Sequence, residues 1–442
     1  MTQTPATELP DMLGETIDNG RLKLVQRLGI GAYGIVYKAV DLYSSIDNPV
    51  FFAVKCVKKL PVGEKEAIFQ ARELKLHKMV DDHPNVLTIH RHFSDRQHVF
   101  IVLDYCPAGD LFAAITDNRY FCRNNALIKN VFIQILDGLQ HCHNKEVFHR
   151  DLKPENILYD PKTCSIRIAD FGLATQARTC SDFGLGSPFY MSPESIDKEQ
   201  KGTYSCRHSD IWALGVILTN LTCGRAPWRF ANLEDECYLS YLANSDFLLH
   251  SLPISKETNA ILKSCFQLHP IARPSIGQIR AAVLKTDTFF LTDAELSKAT
   301  PIQRAIAQYY ATGEFSSPIS DQEVATDESG DNDSSIPSVD PEEVYLYAAA
   351  PFDSPSSLSP PPKIQVPGDS ASVSTSDASS GGSQVLSVSD ASSGIEGNLT
   401  EPTTFIHSFA PVTRATQISE KPISRSGSLW KRTIRRFKAL GI

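Results

Sequence analysis

HRDLKPEN, at residues 149–156, is followed by a short run of alternating apolar residues and then by Asp170-Phe171-Gly172. Within it, Asp151 precedes Lys153 by two positions and Asn156 by five. One turn of chain thus carries a hydroxyl acceptor, a cation for phosphate and a metal ligand. Phosphoryl transfer needs these groups together, because the protein contributes mainly by aligning two oxygens and neutralising charge. The stretch therefore predicts phosphoryl-transfer chemistry.

This loop resembles the catalytic loop of the eukaryotic protein kinases, and an eight-residue match is highly specific. The resemblance covers about residues 20 to 285. It implies an α+β, bilobal protein kinase fold, in which an antiparallel β-sheet N-lobe carries the αC helix and the C-lobe is mostly helical. Lys153 and Gly186-Ser187-Pro188 match the Ser/Thr class rather than the tyrosine class.

Composition predicts one large folded unit in the first two thirds of the 442 residues. The net charge of −8 is unevenly distributed, since no Lys or Arg lies between Arg304 and Lys363 whereas the last residues are strongly basic. This pattern disfavours a general nucleic-acid role. The ten cysteines are irregularly spaced without a C-x-x-C pair, so we expect reduced thiols of an intracellular protein rather than a zinc site or a disulfide framework.

Targeting signals are not evident in the sequence. Residues 1–20 contain neither a basic nor an apolar signal region, so we expect no secretory signal and a location in the cytoplasm, the nucleus or both. The most apolar segment, 211–221, is interrupted by Asn220 and is too short to span a bilayer. It is better interpreted as a buried core helix.

A glycine-rich G-x-G-x-x-G motif at 29–34 lies between strand patterns at 22–25 and 35–40. Glycines allow a hairpin to close over a triphosphate and to offer it backbone N–H groups. Taken alone, an ordinary glycine-rich turn explains the motif about as well. Its strand–loop–strand context fits the kinase arrangement and not the strand–loop–helix of a dinucleotide fold.

Lys55 ends the next strand pattern, 50–55, and follows Ala53 as in the V-A-I-K element of kinases. A lysine at a strand end is ordinarily a solvated edge charge, but its place after the glycine-rich hairpin favours a phosphate-binding cation. Three acids on the helical stretch 64–80 could hold it, namely Glu64, Glu66 and Glu73. We choose Glu73, because the sequence around it resembles αC and its exit, while the other two suit surface pairs.

The kinase resemblance implies a hinge after the apolar strand at 99–103. Leu103 is then the gatekeeper, and the backbone of Asp104 to Cys106 meets the adenine. Asp110 is a candidate for contact with the ribose or with a basic substrate residue, and a helix N-cap is an equally good explanation. The implied ATP-binding set is Gly29, Ile30, Gly31, Ala32, Tyr33, Gly34, Val36, Ala53, Lys55, Glu73, Asp104, Cys106 and Asp110.

The resemblance also assigns the chemical roles. Asp151 would accept or orient the substrate hydroxyl and Lys153 would steady the γ-phosphate of ATP. Asn156 and Asp170 would hold Mg²⁺. A second Asp-Phe-Gly begins at Asp182, but we choose Asp170, because it follows a strand pattern and leaves a segment of normal length before Ser192-Pro193-Glu194. The histidines at 141, 143 and 149 suit a structural helix end better than a metal site.

Domain organisation follows from these motifs. Asp210 and Trp212 resemble the helix that anchors the catalytic loop from beneath, and Arg273 is expected to pair with Glu194. We predict a flexible leader at 1–19, a kinase domain at 20–285, one packed helix at 286–310, a disordered acidic linker at 311–420 and a basic amphipathic tail at 421–442. The linker is rich in Ser and Pro and repeats SDASSG.

Two regulatory hypotheses rest on single residues. Arg150 sits where kinases receive a phosphate on the activation segment, here residues 170–194, and we hypothesise that Asp182 partly replaces that phosphate. Ser428 lies in an R-x-x-S of the tail, and the acids Glu155 and Asp110 are placed for a substrate's basic residues, which would allow self-phosphorylation or self-inhibition. A tail that never enters the cleft is the plainer alternative.

The favoured function is a monomeric, active Ser/Thr protein kinase that uses Mg²⁺ and ATP on protein substrates. Three stretches, including SDFGLGSPFYMSPES, are similar to fungal kinases that restrain mating and meiosis and to yeast nutrient-signalling kinases, which implies nutrient or developmental signalling. The alternative is a non-catalytic kinase-fold scaffold. The tail could contact a membrane surface, an import receptor or a calmodulin-like partner, or dock on the acidic linker.

Overall fold

The computed structural model describes residues 9–31, 34–61, 63–196 and 202–313. The strands in these ranges are β1 (Thr16–Ile17), β2 (Leu22–Gly31), β3 (Gly34–Asp41), β4 (Phe51–Lys58), β5 (Ile89–Ser94), β6 (His98–Asp104), β7 (Ile157–Asp160), β8 (Ser165–Ile168), β9 (Thr179–Cys180) and β10 (Tyr204–Ser205). The helices are α1 (Lys65–Val80), α2 (Leu111–Thr116), α3 (Asn125–Asn144), α4 (Pro193–Ile196), α5 (Cys206–Cys223), α6 (Glu236–Ala243), α7 (Phe247–Ser251), α8 (Lys256–Cys265), α9 (Ile276–Lys285), α10 (Asp293–Leu296) and α11 (Pro301–Thr312).

The N-terminal lobe is built on one antiparallel sheet in the order β1-β2-β3-β4-β6-β5. Alternating burial along β3 follows the two-residue period of a strand with one face on the core. Helix α1 is the long helix of this lobe, and its Leu76, His77 and Val80 are buried. The sheet and this helix form the smaller half of the predicted bilobal α+β fold, which is confirmed.

The C-terminal lobe is mostly helical and is organised around α5. Every residue of α5 except Arg207 and His208 is buried, so the prediction of a core helix at 211–221 is confirmed. Trp212 of this helix packs in an aromatic cluster, with ring centroids 5.5 Å from Trp228 and 4.9 Å from Phe266. Close packing of large rings makes this region a rigid base for the loops above it.

The C-terminal end of the described chain continues past 285 in two helices, where the sequence analysis expected one. Thr292 and Thr300 cap α10 and α11, and a capping box at each helix satisfies its first backbone N–H groups. Ile306 and Tyr310 of α11 are buried, and the Tyr310 hydroxyl donates to the carbonyl of Leu221 on α5 at 3.1 Å. Helix α11 is thus part of the C-terminal lobe.

The predicted flexible leader at 1–19 is wrong for its second half. Thr16–Ile17 forms β1 and pairs with β2, and Ile17 is only 9% exposed. The Met12 backbone N–H also donates to the Tyr37 hydroxyl at 3.1 Å. A two-residue strand is too short to be read from sequence periodicity, which explains the error.

Several predicted features lie outside the described residues. These are Ala32 and Tyr33 of the glycine-rich loop, residues 1–8, the acidic linker from 314 onward and the basic tail. Among the residues that are described, no helix is both long and apolar enough to cross a membrane.

Candidate functional site

The HRDLKPEN loop is fixed from below by Asp210 of α5. Its carboxylate accepts the backbone N–H groups of His149 at 3.0 Å and of Arg150 at 2.8 Å. His143 of α3 donates to the same carboxylate at 2.8 Å. Arg150 has a positive φ of 67°, a strained backbone conformation for a residue with a side chain. The two bonds from the loop backbone to Asp210 hold this conformation in place.

The charge of Asp210 is stabilised inside the protein. Burial would raise the pKa of this carboxyl, but the hydrogen bond from His143, the nearby His149 and the Arg150 N–H outweigh it and hold the pKa below its ordinary 3.8. A buried carboxylate with three donors is a strong anchor, because bonds to a charged acceptor are worth more than neutral ones.

Asp151 is held at the open side of the loop by three neighbours. Its Oδ1 accepts the backbone N–H of Ser187 at 2.8 Å, and Lys153 Nζ lies 3.1 Å from its Oδ2. The Asn156 amide donates to the Asp151 carbonyl at 2.9 Å. Lys153 also donates to the Ser187 hydroxyl at 2.6 Å. Asp151, Lys153 and Asn156 are therefore brought together as the sequence predicted, and the activation segment contributes Ser187 to the cluster.

Asp170 lies near this cluster, two residues after the end of β8. It also has a positive φ, of 59°, and its Oδ1 accepts the Gly172 N–H at 3.3 Å. A Cβ on Gly172 would lie 3.2 Å from that Oδ1, so glycine is the residue that fits without displacing the carboxylate. Burial would raise the pKa of Asp170, but the positive charge of Lys55 and the hydrogen bond from the Gly172 N–H help to keep it lowered.

Lys55 and Glu73 form the bridge between the sheet and α1. Lys55 Nζ lies 2.5 Å from Glu73 Oε1, and both side chains are largely buried. Of the three acids considered from the sequence, Glu64 precedes the helix and Glu66 lies in its first turn, so Glu73 is the partner. The pair holds the Lys55 ammonium near Asp170, and its positive charge lowers the pKa of the Asp170 carboxyl.

Phe171 is buried between two histidine rings, a contact that the sequence analysis missed. The ring of His77 stacks on it at 4.7 Å and the ring of His149 lies 5.0 Å away. His77 Nε2–H donates to the Leu87 carbonyl at 2.6 Å, and burial lowers the pKa of His77 to about 4. The spacing from Glu73 to His77, one helical turn, was the available signal, because such residues share a helix face.

The glycine-rich hairpin joins β2 to β3. Gly29, Ile30 and Gly31 end β2, and Gly34 begins β3. A Cβ on Gly34 would lie 2.3 Å from the Cys56 carbonyl, so the close approach of β3 to β4 requires glycine there. A Cβ on Gly29 would meet no atom within 4 Å, and one on Gly31 would meet only the Gly34 carbonyl oxygen, at 3.9 Å.

The predicted nucleotide-base pocket and hinge lie along β4 and β6. Ala53 and Leu103 are register partners and belong to one apolar cluster, against which Val36 and Cys106 pack. The Asp104 side chain turns away to His90 at 2.7 Å and Arg167 at 3.3 Å, which leaves its backbone as the hinge element.

Asp110 has the capping role that the sequence left open. Its carboxylate accepts the Ala113 N–H at 2.9 Å at the start of α2. Burial raises its pKa. Helix α2 packs against the turn Pro154–Asn156, which also places Glu155 near Asp110.

The second Asp-Phe-Gly lies elsewhere. Asp182 is 57% exposed and lies 3.4 Å from Arg150, apart from the Lys55–Glu73 pair. The short strand β9 ends two residues before Asp182, but a two-residue strand gives no periodic signal in the sequence. Asp170 remains the candidate metal ligand because of its neighbours.

The remaining candidate positions are structural. His141, His143 and His149 bond to Asp82, Asp210 and the Ala169 carbonyl respectively, and no cluster of metal-ligand type occurs in the described ranges. Arg273 makes two bonds to Glu194, at 2.6 and 2.8 Å, and its guanidinium lies 4.9 Å over the ring of Trp212. The predicted Arg273–Glu194 pair is therefore present and ties the end of the activation segment to the core.

Comparison with known proteins agrees with this geometry. The family described as protein kinase domain matches residues 22–284. The negative regulator of sexual conjugation and meiosis of Schizosaccharomyces pombe is 40% identical over 303 residues, which are 64% of this chain and 63% of that protein. The same organism's serine/threonine-protein kinase ksp1 is 34% identical over 282 residues, 62% of this chain and 58% of that protein.

A budding-yeast relative extends the set. The serine/threonine-protein kinase VHS1 of Saccharomyces cerevisiae is 30% identical over 349 residues, which cover 65% of this chain and 75% of that protein. The chain spans less than two thirds of the length of the two Schizosaccharomyces proteins. These relatives confirm the subgroup resemblance that the sequence suggested.

We predict that Asp210→Asn lowers the free energy of unfolding by about 2 to 3 kcal/mol, because an amide cannot accept all three buried bonds and leaves a donor unpaired. Since the pKa of Asp210 is held below 3.8, this stabilisation is complete above that pH and is lost as the pH falls through the lowered value. Urea unfolding at pH 7 measures the difference.

The control is Asp137→Asn, which breaks a half-exposed pair with Arg280 and is expected to cost under about 1 kcal/mol. Equal unfolding free energies for wild type and Asp210→Asn would contradict the anchoring role.

Proposed function

The chain belongs to the protein kinase family, and on this premise we propose that it is an active enzyme that transfers the γ-phosphate of ATP to Ser and Thr hydroxyls of proteins. The observation that carries the proposal is the Lys55–Glu73 bridge together with Asp151, 3.1 Å from Lys153, and Asp170, whose pKa both lysines lower. An ordered lysine–glutamate pair and a placed metal-ligand aspartate are what phosphoryl transfer requires of this fold.

ATP would bind between the glycine-rich hairpin and the β4–β6 strands. Ala53, Leu103 and Val36 offer an apolar surface for the adenine ring, and the backbone after β6 offers hydrogen bonds. Lys55 would contact the phosphates, and Glu73 keeps its side chain extended toward them. Gly34 allows the hairpin to lie close to β4, so the loop can cover the phosphates.

The donor set at Asp170 and Asn156 fits Mg²⁺, which prefers oxygen ligands. The Asn156 amide nitrogen is used in its bond to the Asp151 carbonyl, which leaves its oxygen as the ligand atom. The ion, when bound, would neutralise negative charge on the phosphate oxygens. The lowered pKa of Asp170 keeps its carboxylate charged for this role.

Asp151 would orient the substrate hydroxyl and accept its proton. The Ser187 N–H and Lys153 fix its two oxygens, so the carboxylate presents a defined face to the acceptor. Lys153, within reach of both Asp151 and Ser187, would steady the γ-phosphate as it moves between the two oxygens. The Lys153–Ser187 bond also supports the Ser/Thr class, because the sequence match to that class rests on these two positions.

Basic protein substrates fit the acids beside this site. Glu155 Oε2 is buried and accepts no hydrogen bond from the described part of the chain. Burial raises the pKa of Glu155, and the nearby Asp110 and Asp151 add to this. A substrate Arg or Lys would supply the missing donor and relieve the repulsion among the acids.

The biological setting is proposed from the relatives alone. One is named as a negative regulator of sexual conjugation and meiosis, which supports a role in developmental or nutrient signalling for this chain. We propose that it acts as a monomer in the cytoplasm, the nucleus or both. We propose that the basic tail makes transient contacts with a membrane surface, an import receptor or a calmodulin-like partner. Alternatively, the tail places Ser428 in the catalytic cleft as a substrate.

We predict that Asp151→Asn reduces transfer of labelled γ-phosphate from ATP to Ser and Thr peptides by about 10²- to 10⁴-fold, since the acceptor for the hydroxyl proton is lost. An arrayed library of Ser, Thr and Tyr peptides in Mg²⁺ buffer measures it. Asp47→Asn, in the exposed turn between β3 and β4, is the control and should match wild type. No transfer by the wild type, even after preincubation with cell extract and ATP, would favour the scaffold alternative.

We predict that Asp182→Asn lowers kcat of the phosphatase-treated enzyme by about twofold to fivefold, because a partly exposed ion pair is worth up to about 1 kcal/mol. The 3.4 Å contact between Asp182 and Arg150 motivates this experiment. Peptide kinetics of Asp182→Asn and of the Asp47→Asn control provide the measurement. If treated wild type is inactive and the untreated variant is unaffected, Asp182 does not replace a phosphate.

We predict that Glu155→Gln raises KM for peptides with Arg just before the acceptor by about tenfold, which corresponds to the loss of one charge-assisted bond of about 1.4 kcal/mol. Peptides with Ala at that position should show little change. An equal effect of the substitution on both peptide sets would show that Glu155 serves the loop and not the substrate.

A further inference from the structure

The sulfur atoms of Cys180 and Cys206 lie 3.0 Å apart. Cys180 ends β9 within the activation segment, and Cys206 is the first residue of α5, the helix that carries Asp210. Tyr204 is the register partner of Cys180, and the Cys206 N–H donates to the Arg178 carbonyl at 3.1 Å. Paired backbones on both sides thus hold the two thiols together.

An apolar cluster of Phe148, Phe183 and Tyr204 surrounds the two thiols. Cys206 is fully buried, whereas Cys180 is 8% exposed. Cys180 thus retains a small contact with solvent, whereas Cys206 has none.

The electrostatics separate the two thiols into different roles. The hydrogen bond from Cys206 and the positive charges of Arg150 and Arg72 lower the pKa of Cys180, although burial opposes them. The pKa of Cys206 is raised by that same bond and by burial. A thiolate near arginines is the nucleophilic form of cysteine, and a neighbouring thiol can resolve its oxidation product.

We propose that Cys180 and Cys206 form an oxidation-controlled disulfide that locks the activation segment onto the start of α5. The oxidant is hydrogen peroxide or another small hydroperoxide. The pair fits the transient, sensing kind of intracellular disulfide rather than a permanent framework.

The chemistry proceeds in two steps. The Cys180 thiolate attacks one peroxide oxygen, the O–O bond breaks, and Cys180 becomes a sulfenic acid while hydroxide takes up the proton that Cys180 had released. The Cys206 sulfur then attacks the Cys180 sulfur, the S–O bond breaks, and the departing hydroxide takes the Cys206 proton. Two thiols lose two electrons and two protons, and one peroxide becomes two waters.

The movement required is small. A disulfide has its sulfurs about 2.05 Å apart, so they must approach by about 1 Å from the observed separation. The bond would close a loop from 180 to 206 that contains Asp182, Ser187 and Glu194. Oxidation would therefore hold in place the segment that contacts Arg150 and Asp151.

The test uses the full-length protein with a graded series of hydrogen peroxide, followed by alkylation, non-reducing digestion and mass spectrometry. The expected product is a peptide pair linked through Cys180 and Cys206 that disappears on reduction. Cys180→Ser and, separately, Cys206→Ala should abolish it. Cys164→Ser, a half-buried cysteine away from the pair, is the control and should leave it intact.

A second readout concerns the fold of the segment. Peroxide should slow hydrogen exchange of the β9 and β10 backbone amides in wild type and in Cys164→Ser, and should not do so in Cys180→Ser. Two results would overturn the proposal: Cys180 oxidised only to sulfinic acid with Cys206 still alkylated, or Cys180 linked to a different cysteine or to a second molecule.

Discussion

The acceptance of two backbone N–H groups by Asp210 is the interaction on which the rest of the site depends. It holds the backbone of His149 in place and fixes Arg150 in a positive-φ conformation that a residue with a side chain rarely adopts. Asp151 follows directly, so its position is set from below by a buried helix rather than by the flexible surface. Because α5 is buried almost throughout, the anchor cannot shift without disturbing the core. A rigid helix thereby sets the geometry of an exposed loop.

The upper half of the site obeys a second constraint, the pairing of charges across the cleft. Lys55 comes from the sheet, Glu73 from α1 and Asp170 from the segment below. Lys55 pairs with Glu73, and its charge lowers the pKa of Asp170. Phe171 fills the space between α1 and the HRDLKPEN loop through its two histidine neighbours. Charge pairing and ring packing therefore tie the position of α1 to that of Asp170.

Most of the site could be predicted because its residues occur in short contiguous motifs whose chemistry is local. HRDLKPEN places Asp151, Lys153 and Asn156 within one loop, and the choice of Glu73 followed from its sequence context. Contacts between distant segments were not accessible in this way. Ser187 bonds to Asp151 from 36 residues along the chain, and Cys180 meets Cys206 where β9 pairs with β10, so both contacts depend on tertiary packing. The short strand β1 was missed for a similar reason, since two residues carry no periodicity.

The bond from His77 to the Leu87 carbonyl has a consequence for inhibitor selectivity. An outward movement of α1 would break the Lys55–Glu73 ion pair. It would also break the buried hydrogen bond between His77 and the Leu87 carbonyl. Leaving a buried donor or acceptor unpaired costs about 1 to 3 kcal/mol, which lowers the affinity of any compound that requires the outward helix by about 5- to 150-fold. Compounds shaped for the inward helix bear no such cost. The histidine thus biases this cleft toward one class of small molecule through a residue that the compound never touches.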